Sequence, residues 1–270
     1  MSGQGSGIEV FVSGIAAIGP GFADWPALAA ILRSEVPWTQ TPTAVPALQL
    51  LPPAERRRVG MLVKLSLACG MQAVSHAGAD ASQLATVFSA SGGDGDNCHI
   101  LCEALASEDR SISPTRFHNS VHNAASGYWS IATGSMAPST SLCAHDASFA
   151  AGLLEAAVQA IASGEARLLI ACDDVYGGAL GAARPLLDRM AIALLLTPQS
   201  AANSLARLRL QLADAPASDC PLADLAVLQN GIPCARALPL LHGIANAASR
   251  QIDLAYHAAQ SLRVEISAAA

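Results

Sequence analysis

The sequence has few charged residues and no long apolar segment. Only 13% of its 270 residues are Asp, Glu, Lys or Arg, while 52% are hydrophobic. Because so few charges cover a large free surface poorly, we expect an apolar face of this chain to be hidden in an oligomer. The longest apolar runs, such as 191–196, have the length of a strand. They fall well short of the roughly 20 residues that a membrane-spanning helix needs, so we expect no membrane partner.

Signals for export and for nucleic-acid binding are also scarce. The N-terminal MSGQGSG lacks the basic and apolar regions of a secretory signal, so we expect a flexible N-terminus over 1–7 and a cytoplasmic protein. The net charge is −6, and the only basic run is Arg56-Arg57-Arg58, which argues against a nucleic-acid partner. The seven cysteines show no framework spacing. They are expected to be reduced thiols packed as small hydrophobic side chains.

Motifs for cofactors and metals are incomplete. The glycine-rich loop 92–95 follows an apolar run but has neither G-x-G-x-x-G nor G-K-[ST], which disfavours a phosphate cradle. The acidic loop 94–97 lacks the later Gly and Glu of a calcium loop. Cys98, His99 and Cys102 form an incomplete zinc set, and packing explains the two cysteines better. We therefore expect no cofactor and no metal.

The pattern along the chain alternates strands and helices, which predicts an α/β fold with a mostly parallel or mixed sheet and helices on both faces. Strands are predicted at 8–18, 85–90, 140–144, 167–172 and 191–197, with an edge strand at 207–212 and a last strand at 262–266. Helices are predicted at 24–32, 54–77, 97–106, 147–163 and 241–259. Residues 37–53 hold five prolines and are expected to form a surface connection.

The central stretch is 114–174, where a short apolar strand breaks at His145-Asp146 and passes directly into a helix. Glu155 is the only charged residue between 147 and 163, so this helix is expected to be buried on nearly all sides. The N-terminus of such a helix stabilises a thiolate or an oxyanion. Enzymes therefore place nucleophiles at turns of this kind.

This stretch resembles the nucleophile region of the β-ketoacyl synthases, members of the thiolase-like superfamily. The family pattern N-x-x-x-G, G, G/A-P is met by Asn123, Gly127, Gly134 and Pro138. Continuing it places Asp146 on the family's reactive Cys. Counting back from the downstream match at 164–166 instead gives Ala147, which implies a one-residue insertion in the helix; neither count gives a cysteine.

Further segments match the same family in the same order. EVFVSGIAAIGPG resembles its opening strand and turn, and RRRVGMLVKLSLACGMQAVSHAG resembles its first long helix. FSASGGDGDN corresponds to its strand and glycine-rich loop, and RLLIACDDV to a later strand. The resemblance implies a thiolase-like fold comprising the N-terminal half of a synthase over 8–200, with 201–270 as a divergent extension of the same domain.

The resemblance also implies which catalytic groups are missing. Active members use two histidines from a C-terminal half to stabilise the thioester oxyanion and to assist decarboxylation. His242-Gly243 could be a remnant of one such loop, but the residues that follow do not continue the pattern. The resemblance therefore implies no catalytic residue, with Asp146 at the position of the nucleophile.

Several side chains near this turn remain open to two interpretations. Asp146 is either a charged plug or the N-cap of the helix, and we favour the N-cap. Cys143 is expected to point its thiol into the core. His118, His122 and Asn123 are either polar groups of an interface or ordinary caps.

The aromatic residues Tyr128 and Trp129 lie on the helix before the central strand. By the resemblance, they are expected to approach the acyl tunnel of a partner subunit.

The resulting expectation is a catalytically silent relative, similar to a chain-length factor, that pairs with an active ketosynthase and shapes its acyl-chain pocket. The motif HNSVHNAASGYW is most similar to small ketosynthase-like proteins of aryl-polyene pathways. An acyl carrier protein is expected as a second partner, and the arginine triplet could contact it. Two alternatives stay open: an acyltransferase or decarboxylase built from Cys143, His145 and His242, and a scaffold for carrier protein.

Overall fold

The computed structural model describes residues 7–47 and 49–269, so most of the expected flexible N-terminus lies outside the described residues. The strands are β1 (Ile8–Ile18), β2 (Ala85–Ser89), β3 (Ser139–Leu142), β4 (Arg167–Asp173), β5 (Met190–Thr197), β6 (Ala206–Ala213), β7 (Arg250–His257) and β8 (Gln260–Ser267). The helices are α1 (Trp25–Leu32), α2 (Pro53–Arg58), α3 (Met61–Ala77), α4 (Gly95–Ala106), α5 (Pro114–Asn119), α6 (Ala124–Thr133), α7 (Ser148–Ser163), α8 (Gly178–Ala183), α9 (Ala226–Gly231) and α10 (Leu238–Ala245).

All eight strands belong to one mixed sheet in the order β3-β2-β4-β5-β1-β6-β8-β7. Only β3, β2 and β4 are mutually parallel, and every other neighbouring pair is antiparallel. The parallel strands are joined through helices, whereas β4 reaches β5 with only the short α8 between them. This matches the predicted α/β class, with the parallel part confined to one end of the sheet.

Helices cover both faces of the sheet and enclose two hydrophobic cores. On one face α3 and α6 pack against the buried side chains of the central strands. On the other face α1, α7 and α10 form a larger core with the same strands. The predicted arrangement of helices on both faces is therefore confirmed.

The central helix α7 packs its first turns against the sheet, where Phe149 and Leu153 are fully buried. Its opposite side is open in this chain, because Val158 and Ile161 are 42% and 47% exposed. The prediction that α7 is buried on nearly all sides is therefore wrong. One apolar side of α7 is left without a cover among the described residues.

The C-terminal segment continues the sheet rather than forming a separate unit. Strand β6 pairs antiparallel with β1, and β8 and β7 extend the sheet beyond it. The helix predicted at 241–259 is wrong in its second half: α10 ends at Ala245 and the chain then forms β7. Buried Ile252 and Leu254 pair with β8, so the alternation of a strand overrides the helical composition of this segment.

Helix α3 illustrates how local signals set the ends of elements. The predicted helix at 54–77 is split, because the backbone is extended at Val59 and Gly60 between α2 and α3. Gly78 ends α3 in the left-handed conformation (φ 65°), which glycine adopts without strain. No helix in the described part of the chain has both the length and the apolar character to cross a bilayer.

Candidate functional site

The turn from β3 into α7 is short and its backbone is strained. Residues His145–Ala147 form a single 3-10 turn, and His145 has φ 51°, a left-handed conformation that few residues other than glycine adopt. Such conformations cost about 1–3 kcal/mol and cluster at functional sites. The geometry therefore matches the strained strand-to-helix turn expected from the sequence.

Ser148 holds the start of α7. Its buried hydroxyl accepts a hydrogen bond from the Ala144 N–H (2.9 Å), and its proton faces the carbonyl oxygens of His145 (2.7 Å) and Ala90 (3.1 Å). The same side chain therefore fixes both the turn and its position against the end of β2.

Asp146 is the centre of an ion cluster and not the N-cap of α7. Its Oδ1 accepts a hydrogen bond from Arg184 Nη2 (2.7 Å), and its Oδ2 accepts one from Arg236 Nη2 (2.9 Å). The N-cap interpretation is therefore wrong, since both carboxylate oxygens face arginines instead of the first N–H groups of the helix. The arginines come from the segment after α8 and from the segment before α10, so Asp146 joins three parts of the chain.

His145 extends the same cluster at the surface. Its Nε2 contacts Arg184 Nη1, and its Nδ1 lies 3.5 Å from Asp146 Oδ1. Because the guanidinium can only donate, the imidazole accepts at Nε2, which places its proton on Nδ1 toward the aspartate. The ring is therefore part of the cluster around Asp146.

The prediction that Cys143 points its thiol into the core is wrong. The residue is exposed, and its Sγ–H donates to the Ser91 carbonyl oxygen at 3.1 Å. Cys98 and Cys102 are also exposed, so the expectation that all cysteines pack as small hydrophobic side chains is wrong for three of the seven. The physical reason is that α4 and the turn lie at the surface of the chain.

The remaining four cysteines are buried and free. Burial raises the pKa of the thiols of Cys69, Cys172 and Cys234. It also raises the pKa of the Cys220 thiol, which is less deeply buried. A raised pKa lowers the fraction of thiolate at neutral pH, so these four are poor nucleophiles.

A buried carboxylate connects the glycine-rich loop to the C-terminal segment. Asp173, at the end of β4, accepts a hydrogen bond from the Ser91 N–H at Oδ1 and from the Cys234 N–H at Oδ2, both at 2.7 Å. Burial raises its pKa, and these hydrogen bonds oppose that rise. The two bonds position Ser91, whose carbonyl oxygen in turn accepts the hydrogen bond from the Cys143 thiol.

His242 lies in α10 and its ring bonds to Arg250, with 3.0 Å between Nδ1 and Arg250 Nη1. Partial burial lowers the pKa of His242, and the neighbouring Arg250 charge lowers it further. Its hydrogen bond therefore leads to β7 and not to Cys143 or His145.

The polar residues before α6 lie at the surface. His118 and His122 are exposed, and the His118 ring stands edge-on to Tyr128 with 6.5 Å between centroids. Asn123 precedes α6 but its side chain makes no capping hydrogen bond. The interpretation of Asn123 as an ordinary cap therefore lacks the hydrogen bond that a capping side chain would make.

Tyr128 and Trp129 are core residues of this chain, only 3% and 1% exposed. The Tyr128 hydroxyl donates to Asn119 Oδ1 at 3.0 Å, and burial raises its pKa. Trp129 packs edge-on against Phe88. Their placement differs from the expectation that they approach a partner, because α6 turns this face toward the sheet.

A recess of about 270 Å³ opens beside the ion cluster, lined by Asp146, Arg184 and Arg236 together with Leu186 and Asn230. Within the described ranges, no group of three or more His, Cys, Asp or Glu side chains is arranged to hold a metal ion.

Arg184 and Arg236 are the site residues that sequence reasoning missed. They lie 38 and 90 residues from Asp146 along the chain, so no local pattern marks them. Composition is the one sequence feature that points to them. Because only 13% of the residues are charged, each arginine next to an apolar segment is a candidate partner for a carboxylate.

Comparisons with known proteins agree with this geometry. A family model described as the β-ketoacyl synthase N-terminal domain matches residues 31–249. None of the curated proteins compared with the chain matches it.

Solved structures with the same fold include a chain from the ketosynthase ApeO in complex with its chain length factor ApeC from Xenorhabdus doucetiae. It has a TM-score of 0.72 at 22% identity, covering 95% of this chain and 98% of that chain. A chain of the ishigamide ketosynthase/chain length factor has a TM-score of 0.69 at 13% identity, covering 98% and 100%.

A β-ketoacyl synthase from Burkholderia phymatum STM815 has a TM-score of 0.59 at 13% identity, covering 84% of this chain and 70% of that chain. At these identities the structural likeness shows the thiolase-like fold. With the family match extending over most of its length, the chain belongs to the β-ketoacyl synthase N-terminal domain family.

Proposed function

We propose that this chain is a catalytically silent partner of an active ketosynthase, similar to a chain-length factor. The observation that carries the proposal is the turn between β3 and α7. Where the family resemblance places a nucleophile, the chain has Asp146 with both carboxylate oxygens held by arginines. A carboxylate in two ion pairs cannot form the thioester that condensation requires.

The nearest thiol does not replace the missing nucleophile. Cys143 precedes the turn and donates its proton to a main-chain carbonyl, and no cationic side chain contacts its sulfur in the described residues. A reactive cysteine needs an electropositive neighbourhood or a base that takes its proton. The atypical site of Cys143, His145 and His242 is therefore not favoured, since the two histidine rings bond to arginines.

The surface that fits a partner is the outer edge of β3, which ends the sheet. The N–H groups of Thr86 in β2 and of Ala90 just after it donate to the carbonyls of Pro138 and Leu142. Even-numbered residues of β3 therefore direct their main-chain groups toward β2, and Ser139 and Ser141 direct theirs outward. This leaves a strand edge that a second chain can pair with.

Apolar side chains on the elements beside β3 are exposed as well. Ile131 and Met136 precede the strand, with 53% and 94% of their surface exposed. Val158 and Ile161 lie on α7, whose Gln159 bonds to Thr140 of β3. An open edge with apolar neighbours is typical of a surface that is covered in a complex.

The relatives support the type of partner. The ApeO and ishigamide structures each contain a ketosynthase with a chain length factor, and a third similar structure, AntDE:AntF, is a type II acyl carrier protein in complex with its ketosynthase. By extension to this chain, the partner is an active ketosynthase. The pair would build and measure an acyl chain in a polyketide or fatty-acid pathway of the aryl-polyene type, in the cytoplasm.

An acyl carrier protein is the second partner of this proposal. Arg57 and Arg58 are exposed on α2, beside exposed Arg116. The three border a cleft of about 470 Å³, although Arg58 is also paired with Glu55 at 3.0 Å. Three aspartates line the same cleft, so the exposed arginines, and not the cleft as a whole, complement an acidic carrier.

Labelling of the co-purified complex with a thiol-directed acyl analogue tests the proposal. The expected result is one label, on the ketosynthase, and none on this chain, with Cys143→Ser as a matched control that leaves the labelling pattern unchanged. Stoichiometric label on Cys143 that disappears in Cys143→Ser would instead establish the chain as an enzyme in its own right.

A further inference from the structure

The recess beside Asp146 carries a net positive charge. Arg184 and Arg236 contribute two cations, and Asp146 contributes one anion. Each arginine presents five N–H donors in a rigid fork, and Asp146 engages only one nitrogen of each. The single carboxylate therefore satisfies neither the charge nor the hydrogen-bonding capacity of the pair.

One of these donors is buried without a partner. Arg184 Nε is shielded from solvent and has no hydrogen-bond partner among the described residues. A buried donor on a charged group is destabilising when it lacks a partner, and a bound water or ion is a common explanation. Asp146 and His145 together therefore leave part of the Arg184 guanidinium without an acceptor.

The walls of the recess limit what can enter it. Its volume is about 270 Å³, and apart from the charged groups it is lined by Asn230, Gly231 and the apolar Pro185, Leu186 and Pro233. A volume of this size admits a small molecule or one end of a larger one. The Asn230 amide adds further donors at the same opening.

We propose that this recess is a binding site for a small anion that carries a phosphate or a carboxylate group. Guanidinium pairs recognise both groups through parallel, charge-assisted hydrogen bonds. Asp146 accepts hydrogen bonds from one nitrogen of each arginine and keeps the two arginines in place when the anion is absent. The site does not depend on the proposed pairing with a ketosynthase, because all lining groups belong to this chain.

Isothermal titration of the purified protein with inorganic phosphate and with succinate tests the site, each compared with sodium chloride at equal ionic strength. If this chain purifies only with a partner, the complex is titrated. Saturable binding is expected with at least one of the two probes. Arg184→Gln and Arg236→Gln should each weaken it about tenfold, the loss of one charge-assisted contact. Asp146→Asn should strengthen it at least about threefold, because a competing negative charge is removed.

Arg207→Gln is the matched control. Arg207 is an exposed side chain on β6 that bonds to Ser267 (2.9 Å) and lies 3.9 Å from Glu9. Its substitution removes the same charge from a residue that does not line the recess, and binding should stay unchanged. The gain of affinity in Asp146→Asn cannot arise from misfolding. Binding of succinate alone or of phosphate alone would identify the ligand class. Binding no stronger than that of chloride, or an affinity in both arginine variants equal to that of the unsubstituted chain, would overturn the proposal.

Discussion

At the scale of single residues, Asp146 determines what the turn between β3 and α7 can do. An aspartate at the start of a helix usually accepts N–H groups of the first turn. Here no side chain caps α7: Ser148 bonds back to the Ala144 N–H before the turn, and Asp146 is held between Arg184 and Arg236. The carboxylate is a counter-ion, which leaves the turn strained but without a nucleophile.

Asp146→Cys is expected not to create a condensing enzyme. A thiolate here would gain the helix N-terminus and two arginines, which lower its pKa and allow slow self-acylation. Condensation also needs donors aimed at the enolate oxygen, and losing one such donor costs a factor of about 10²–10³ in rate. Intact-mass spectrometry with an acyl donor should detect at most a stable adduct, and no ketoacyl product should form without a partner.

The informative contrary outcome is turnover. If Asp146→Cys alone converted malonyl thioesters into ketoacyl product near the rate of a complete synthase, His242 or another C-terminal residue would have to be catalytic. Asp146→Ser is the matched control, because it removes the same carboxylate without supplying a thiol.

His242 should titrate below the ordinary histidine range of about 6.5. Its folded-state pKa is lowered, so as the pH falls below about 6.5 the unfolded chain binds the proton first and stability decreases toward the folded pKa. Arg250→Gln should raise the titration midpoint, though not fully, because burial is the larger cause. NMR titration of the imidazole measures both midpoints, and an unchanged midpoint in Arg250→Gln would contradict the assignment.

The absence of a thiol at this turn could be predicted from the sequence, because family spacing fixes the position within one residue. The partners of Asp146 could not, since an ion pair between distant segments leaves no periodic or local signal. The same holds for Asp173, whose two N–H donors come from the loop before α4 and from the segment before α10.

At the scale of elements, the free edge of β3 can be tested by proline substitution. Ser141 directs its N–H outward, and Thr140 directs its N–H toward β2. Ser141→Pro should leave the melting temperature within a few degrees and weaken binding of the ketosynthase about tenfold or more, because only an outward donor is lost. Thr140→Pro is the control and should lower the melting temperature itself.

Equal binding by the Ser141→Pro variant and the unsubstituted chain would show that main-chain pairing along this edge is not used. Analytical ultracentrifugation of the mixed proteins gives the dissociation constants, and thermal unfolding gives the stabilities.

The C-terminal segment should unfold together with the rest of the chain, because β6 pairs with β1 and α10 packs in the same core as α1. Leu241→Ala in α10 removes a fully buried side chain and should cost about 2–5 kcal/mol of unfolding free energy. Val227→Ala in α9, where the side chain is 43% exposed, should cost no more than about 0.5 kcal/mol. Urea unfolding followed by two probes should give one transition, and two separate transitions would contradict a single domain.

Elements with strong local signals were predictable. The strands β1, β4 and β5 are mostly apolar runs, and α1 begins after Asp24, whose Oδ1 accepts the Ala27 N–H at 2.9 Å. After β6, the last strand was predicted at 262–266, within β8, but β7 was not predictable, because the Ala-rich composition there suits a helix and only pairing with β8 reveals a strand. Tertiary pairing there overrides local preference.

At the scale of the whole molecule, the low charge fraction and the open edge of the sheet both indicate a surface that is covered in a complex. The apolar side of α7 at Val158 and Ile161 lies next to β3, so one continuous side of the chain lacks a polar cover. Obligate interfaces of this kind commonly bury more than roughly 2,000 Å². The chain by itself is therefore expected to self-associate or to be poorly soluble.

The central claim is that this chain functions as one half of a pair with a ketosynthase. Its most direct test is light scattering on the size-exclusion peak of the chain co-expressed with a ketosynthase of the same pathway. The account predicts one soluble species whose mass is a whole multiple of the sum of both chains, of which this one contributes 27.5 kDa. A well-behaved monomer of this chain that elutes apart from every such ketosynthase would contradict the account.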